Sequence, residues 1–141
     1  MARRVYTVQH FIACSEVSVA LAGPDSPYTI RDALFIYNVP ADREWPVRLD
    51  ELWVFARFMN LDRPREFYVR VVWMDAIGGE DEVSAFPPWV VRPHPGKAAV
   101  DRGWRIDATP FPGPGRYRLE LCTEPGDRVL ANEYIQIRRA L

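Results

Sequence analysis

The chain has 141 residues, 48% of them hydrophobic and 13% aromatic, and is expected to form one domain, 1–141, whose core needs neither disulfides nor metal. A formal net charge of −1 excludes a broad electrostatic grip on nucleic acid or on an anionic membrane. No run reaches the roughly 20 apolar residues of a membrane-spanning helix.

Residues 4–13 set Val5, Thr7, Gln9 and Phe11 against Tyr6, Val8, His10 and Ile12, the period of a first strand. Arg3, Arg4 and the small residues "ALAG" at 20–23 are the outline of a secretion signal. Gln9, His10 and Glu16 interrupt its apolar stretch, so the segment reads as strand. "TIRDALFIYNV" (29–39) is apolar on both faces from Ala33 and predicts a central, well-covered strand. Residues 41–51 have room for at most one short helical turn, limited by Pro46.

"ELWVFARFMN" (51–60) and "REFYVRVVWMDA" (65–76) both alternate, and the polar link "LDRPRE" (61–66) predicts that they form an antiparallel hairpin. Matching the apolar faces sets Phe58 opposite Phe67, Val54 opposite Val71 and Leu52 opposite Trp73. The second face of that hairpin would then carry Trp53, Phe55, Arg57, Tyr68 and Arg70. Aromatic rings interleaved with guanidinium groups suit stacking and planar polar recognition, which makes these five the candidate binding residues. Plain cross-strand pairing or cover from a neighbouring segment is the alternative reading of the same residues.

"GGEDEVSAF" (78–86) returns from a Gly-Gly turn as a strand, which Pro87 and Pro88 stop or confine to an edge. In 98–108, Val100, Trp104 and Ile106 face inward, and Asp101, Arg105 and Asp107 outward. The last hairpin, 112–139, turns Tyr117, Leu119 and Leu121 inward and Arg116, Arg118 and Glu120 to water. Glu124-Pro125-Gly126-Asp127 has the residues of a type II turn. Leu130 and the pair Ile135/Ile137 fall on opposite phases. Either a β-bulge lies between Ala131 and Tyr134, or Leu130 stands outside the ladder near the turn. Seven to nine strands and no clear helix predict an all-β fold. A two-sheet antiparallel β-sandwich of immunoglobulin-like topology is expected, with a jelly roll as the alternative.

Catalytic constellations are missing from the sequence. His10 and Cys14, four apart on a strand, would lie ~13 Å from each other, and His94 sits in the proline-rich "RPHPG". Two cysteines and two histidines scattered over the chain make no zinc set. The run Glu80-Asp81-Glu82 lacks the spacing that wraps calcium. "GPGRY" (113–117) opens a strand and offers no helix terminus to a phosphate. No catalytic residue, metal site or cofactor is therefore assigned, and Cys14 and Cys122 are expected as free thiols in the cytoplasm.

The opening strand and the closing "PGRYRLEL…GDRVLANEYIQI" hairpin (114–137) resemble those of uncharacterised bacterial families of small stand-alone immunoglobulin-like sandwich proteins. The resemblance implies the fold and transfers no catalytic residue. The expected function is that of a non-enzymatic interaction or accessory protein, self-associating through a sheet face or binding another protein. A module for carbohydrate or another small polar ligand is the first alternative, and an enzyme of unknown type the second.

Overall fold

The computed structural model describes residues 6–19, 28–33, 36–49, 51–74, 77–106, 108–124 and 126–140. Among them run ten strands: β1 (Thr7–Val19), β2 (Tyr28–Ala33), β3 (Ile36–Val39), β4 (Trp53–Met59), β5 (Arg65–Met74), β6 (Glu80–Ala85), β7 (Trp89–Val91), β8 (Ala99–Arg105), β9 (Gly115–Glu124) and β10 (Val129–Arg139). One sheet has the order β2-β1-β4-β8, the other β3-β10-β9-β5-β6, with β7 also on β5. All pairs are antiparallel except β3 with β10.

The core lies between the two sheets. Val54, Ala56 and Phe58 enter it from β4, Phe67, Val69 and Val71 from β5, and Tyr117, Leu119 and Leu121 from β9. The inward phase of the last hairpin is therefore the expected one, as is the burial of Val100, Trp104 and Ile106; Asp107 lies outside the described residues. The hydroxyl of Tyr117, near the start of β9, donates to the Gly113 carbonyl. That bond, the β10-β9-β5 sheet and the facing β1-β4-β8 sheet make the sandwich immunoglobulin-like, with its tyrosine corner.

The expected hairpin of 51–60 with 65–76 does not form. β4 and β5 belong to different sheets, and the link between them crosses the end of the sandwich, with Asn60 in the left-handed region at φ 59°. Val54 pairs with Trp104, Val71 with Leu119 and Trp73 with Tyr117. Phe58 and Phe67 do meet, with ring centroids 4.5 Å apart, but across the core. Alternation specifies which side chains are buried. It leaves open whether two apolar faces meet side by side or face to face.

The single central strand expected at 29–39 is two edge strands, β2 on the first sheet and β3 on the second. Edge positions leave Ile36 47% exposed while Val39 is fully buried. β1 runs on past residue 13 to Val19, and a register shift between Val8 and His10 switches its inward set. Tyr6 and Val8 pack on the core before the shift, Phe11 and Ala13 after it. Such a bulge changes the face a strand presents without ending it.

The bulge of β10 lies between Val129 and Ala131, nearer the turn than 131–134, and lets Leu130 pack against the core. Gly126 has the positive φ, +107°, that this turn requires; Pro125 lies outside the described residues. Pro87 and Pro88 divide one edge of the second sheet. β6 pairs with the end of β5 and β7 with its start.

Candidate functional site

The five candidate residues do not share a surface. Trp53, Phe55 and Arg57 alternate with the core residues of β4 and so lie on the outer face of the first sheet. Tyr68 and Arg70 lie on the outer face of the second, with the whole core between the two groups. Phe55 is only 4% exposed and packs with Cys14 and Trp53, so the chain itself covers it. Arg57 faces Asp101 on β8 and holds both its oxygens, Nε to Oδ1 at 2.7 Å and Nη2 to Oδ2 at 2.9 Å. The expected single aromatic–arginine patch failed with the hairpin on which it rested.

On the second sheet, Tyr68 and Arg70 belong to a network that runs across three strands. Glu120 of β9, 4% exposed, accepts from Arg70 Nε at 2.7 Å and from Arg118 Nε at 3.0 Å. Arg118 reaches on to Glu80 of β6 with both terminal nitrogens, at 2.7 and 2.9 Å. Its bond to Glu80 raises the guanidinium pKa, against the opposing effect of burial. Arg70 Nε also lies 3.9 Å from Glu82. Tyr68 donates its hydroxyl to Asp127, the main reason its phenol pKa is raised. Arg116 lies over the ring of Tyr134, 4.3 Å from its centroid.

Alternation alone predicts Arg116, Arg118 and Glu120 facing water, and it assigns Glu80 and Glu82 no partner. A signal for the network was present: Glu80 and Glu82 return along β5 at the same spacing as Arg118 and Glu120 on β9. It required knowing that β5 lies between β6 and β9, which periodicity does not reveal.

Two hollows open beside this network. One, of about 330 Å³, is lined by Tyr68, Arg70, Glu82, Phe86, Pro88 and Asp127. The other, of about 650 Å³, is lined by Tyr6, Arg63, Arg65, Glu66, Val90 and Arg128, and Glu124 lines both. Within the larger hollow, Arg65 stands over the Tyr6 ring at 4.7 Å and donates to Asp62 at 2.9 Å. Thr123 fixes the backbone of Arg128, accepting from its N–H at 3.2 Å and donating its own to the Arg128 carbonyl at 2.9 Å.

Of the residue types that could act chemically, the two cysteines are buried and the two histidines exposed. Cys14 is fully buried, with its thiol directed at the Trp53 carbonyl at 3.8 Å, whereas His10 and His94 are exposed. Cys122 is buried under Tyr68 and Arg70, and burial raises its thiol pKa, which disfavours the nucleophilic thiolate. Both cysteines are free thiols, Cys14 on the first sheet and Cys122 on the second.

Fold and face together define an immunoglobulin-like β-sandwich domain with an ion-paired outer sheet. No protein-family model and no curated protein matches the chain. Among solved structures it is similar to an alkylpurine DNA glycosylase of Pseudomonas fluorescens bound to DNA containing an abasic site analog, with TM-score 0.47 and 12% identity. That likeness covers 97% of this chain and only 31% of the glycosylase. It is also similar to an immunoglobulin-like protein of Pseudomonas aeruginosa, PA1606, with TM-score 0.42, 14% identity, 98% of this chain and 100% of that one. No residue role follows from either.

Proposed function

We propose that the protein is a non-enzymatic interaction module that binds a second copy of itself through the outer face of its second sheet. One observation carries the reading: Val90, 48% exposed, and Val129, 37% exposed, stand at the end of that face where β5 begins and β9 ends. Val129 is paired with Cys122, which is paired with Tyr68, and Val90 is paired with Glu66 two residues before Tyr68. Exposed aliphatic groups surrounded by arginine, tyrosine and carboxylate groups have the make-up of a contact surface. Glu120 already orders Arg70 and Arg118, so these side chains lose little further freedom on association. A two-fold dimer is the simplest use of such a face. The two buried free thiols, on separate sheets, support a reducing compartment, the cytoplasm, as its place of work.

Sedimentation velocity over a range of protein concentrations tests the proposal. The wild type should form a dimer, and Val90→Asp, at an exposed edge position, should give a folded monomer. A wild type that stays monomeric throughout refutes self-association. If that monomer gained thermal stability from a sugar or another small polar ligand, the ligand-binding alternative would replace it.

A further inference from the structure

The larger hollow contains charges of both signs that make no ion pair among the described residues. Glu66 and Glu124 are direct partners in the β5–β9 ladder. Like charges set opposite each other across a ladder are destabilising. Neither carboxylate makes an ion pair among the described residues, although Arg63 and Arg128 line the same hollow. Those two arginines make no ion pair there either, while Arg65 is already held by Asp62 and Tyr6. Arg63 precedes the strand that carries Glu66, and Arg128 follows the turn out of the strand that carries Glu124.

A simple anion entering this hollow would meet two carboxylates, and a simple cation would meet three guanidinium groups. Its complement is a surface bearing the same mixture in the opposite sense. A second copy turned about a two-fold axis presents that surface, because in such a contact residue i meets j while j meets i. Resting on the self-association reading above, we infer that the dimer axis passes by this hollow. Arg63 and Arg128 of one copy pair with Glu66 and Glu124 of the other, around contacts between the exposed Val90 side chains. The unfavourable Glu66–Glu124 neighbours are then neutralised on assembly, and the free monomer is the form that bears the repulsion.

Charge reversal tests the pairing. In Arg63→Glu/Arg128→Glu and in Glu66→Arg/Glu124→Arg, each protein alone sets like charge against like. Each should lose dimer affinity by about tenfold or more, with circular dichroism showing both folded. An equimolar mixture should recover the dimer as a heterodimer of the two variants. Dimers of wild-type affinity in both variants would overturn this interface while leaving self-association standing. Two folded monomers whose mixture stays monomeric would overturn the pairing as well, and a monomeric wild type would remove both readings. Should a variant fail to fold, the wild type itself decides. Raising salt from about 0.05 to about 0.5 M should weaken its dimer by about tenfold, since screened charges attract less, and a flat salt response overturns the inference.

Discussion

Phe58 and Phe67 lie with ring centroids 4.5 Å apart, although the strands that carry them share no backbone hydrogen bond. The contact joins the two sheets at the end where the chain crosses between them. Both rings are fully buried. Phe67→Ala should therefore lower stability by about 3–5 kcal/mol in urea melts. A loss below about 1 kcal/mol would show that the ring does not bridge the sheets.

Gly115 and Gly96 separate backbone strain from collision. Both have positive φ, +143° and +77°, and a Cβ at Gly96 meets nothing within 4 Å, whereas one at Gly115 would lie 2.9 Å from Nε1 of Trp73. Gly96→Ala should cost about 1–2 kcal/mol from strain alone. Gly115→Ala should cost more and alter the near-ultraviolet circular dichroism, because the Trp73 indole lies parallel to the Tyr117 ring and must shift. Equal losses in the two variants would count against the contact.

Alkaline pH should expose the burial of Tyr117. Burial lifts its phenol pKa from 10.0 to about 12. The unfolded chain ionises near 10, so this contribution to stability is complete below that pH and is lost as pH rises through about 12. The difference is on the order of 2–3 kcal/mol. Tyr68, raised by its bond to Asp127, adds to the same fall. Tyr117→Phe should accordingly reduce the alkaline slope measured by denaturant melts from pH 8 to 12. At neutral pH it should cost about 0.5–1.5 kcal/mol for the bond to Gly113.

Alkylation should find two thiols, with and without prior reductant. Both should label slowly in the folded protein, since Cys14 and Cys122 are buried, and at once in denaturant. Thiols blocked until reductant is added would argue for an oxidising compartment.

Trp53→Ser/Phe55→Ser should weaken the fold and spare the assembly. Phe55 is 4% exposed, and replacing it should cost about 3 kcal/mol or more. A well-folded variant with a changed sedimentation coefficient would return the first sheet to consideration as an interface.

Burial was legible in the sequence wherever period-two alternation was clean. Tyr117, Leu119, Leu121, Val100, Trp104 and Ile106 all face the core as their spacing predicts. Neighbour choice was not legible at the 60–64 link. A short polar connection with a proline serves a hairpin and a crossing between sheets equally well, and only the pairing of β4 with β1 and β8, and of β5 with β9 and β6, distinguishes them in the structure. The binding face depended on that choice, so Trp53, Phe55 and Arg57 were separated from Tyr68 and Arg70 when it failed. Glu66, Arg63 and Arg128 carry no signal of their own in the sequence for the same reason, and Glu124 reads there only as part of a turn. Their proximity is created by β5 lying beside β9, a pairing that sets Glu66 next to Glu124, 58 positions further along the chain.

The parallel strap between β3 and β10 sets a timetable for synthesis. Ile36 pairs with Gln136 and Val39 with Arg139, so each residue of β3 meets a partner made 100 residues later. At translation rates of about 5–20 residues per second, that is a wait of about 5–20 s. During this interval β3 presents an unpaired strand edge, and Val39, fully buried in the finished fold, lacks its cover.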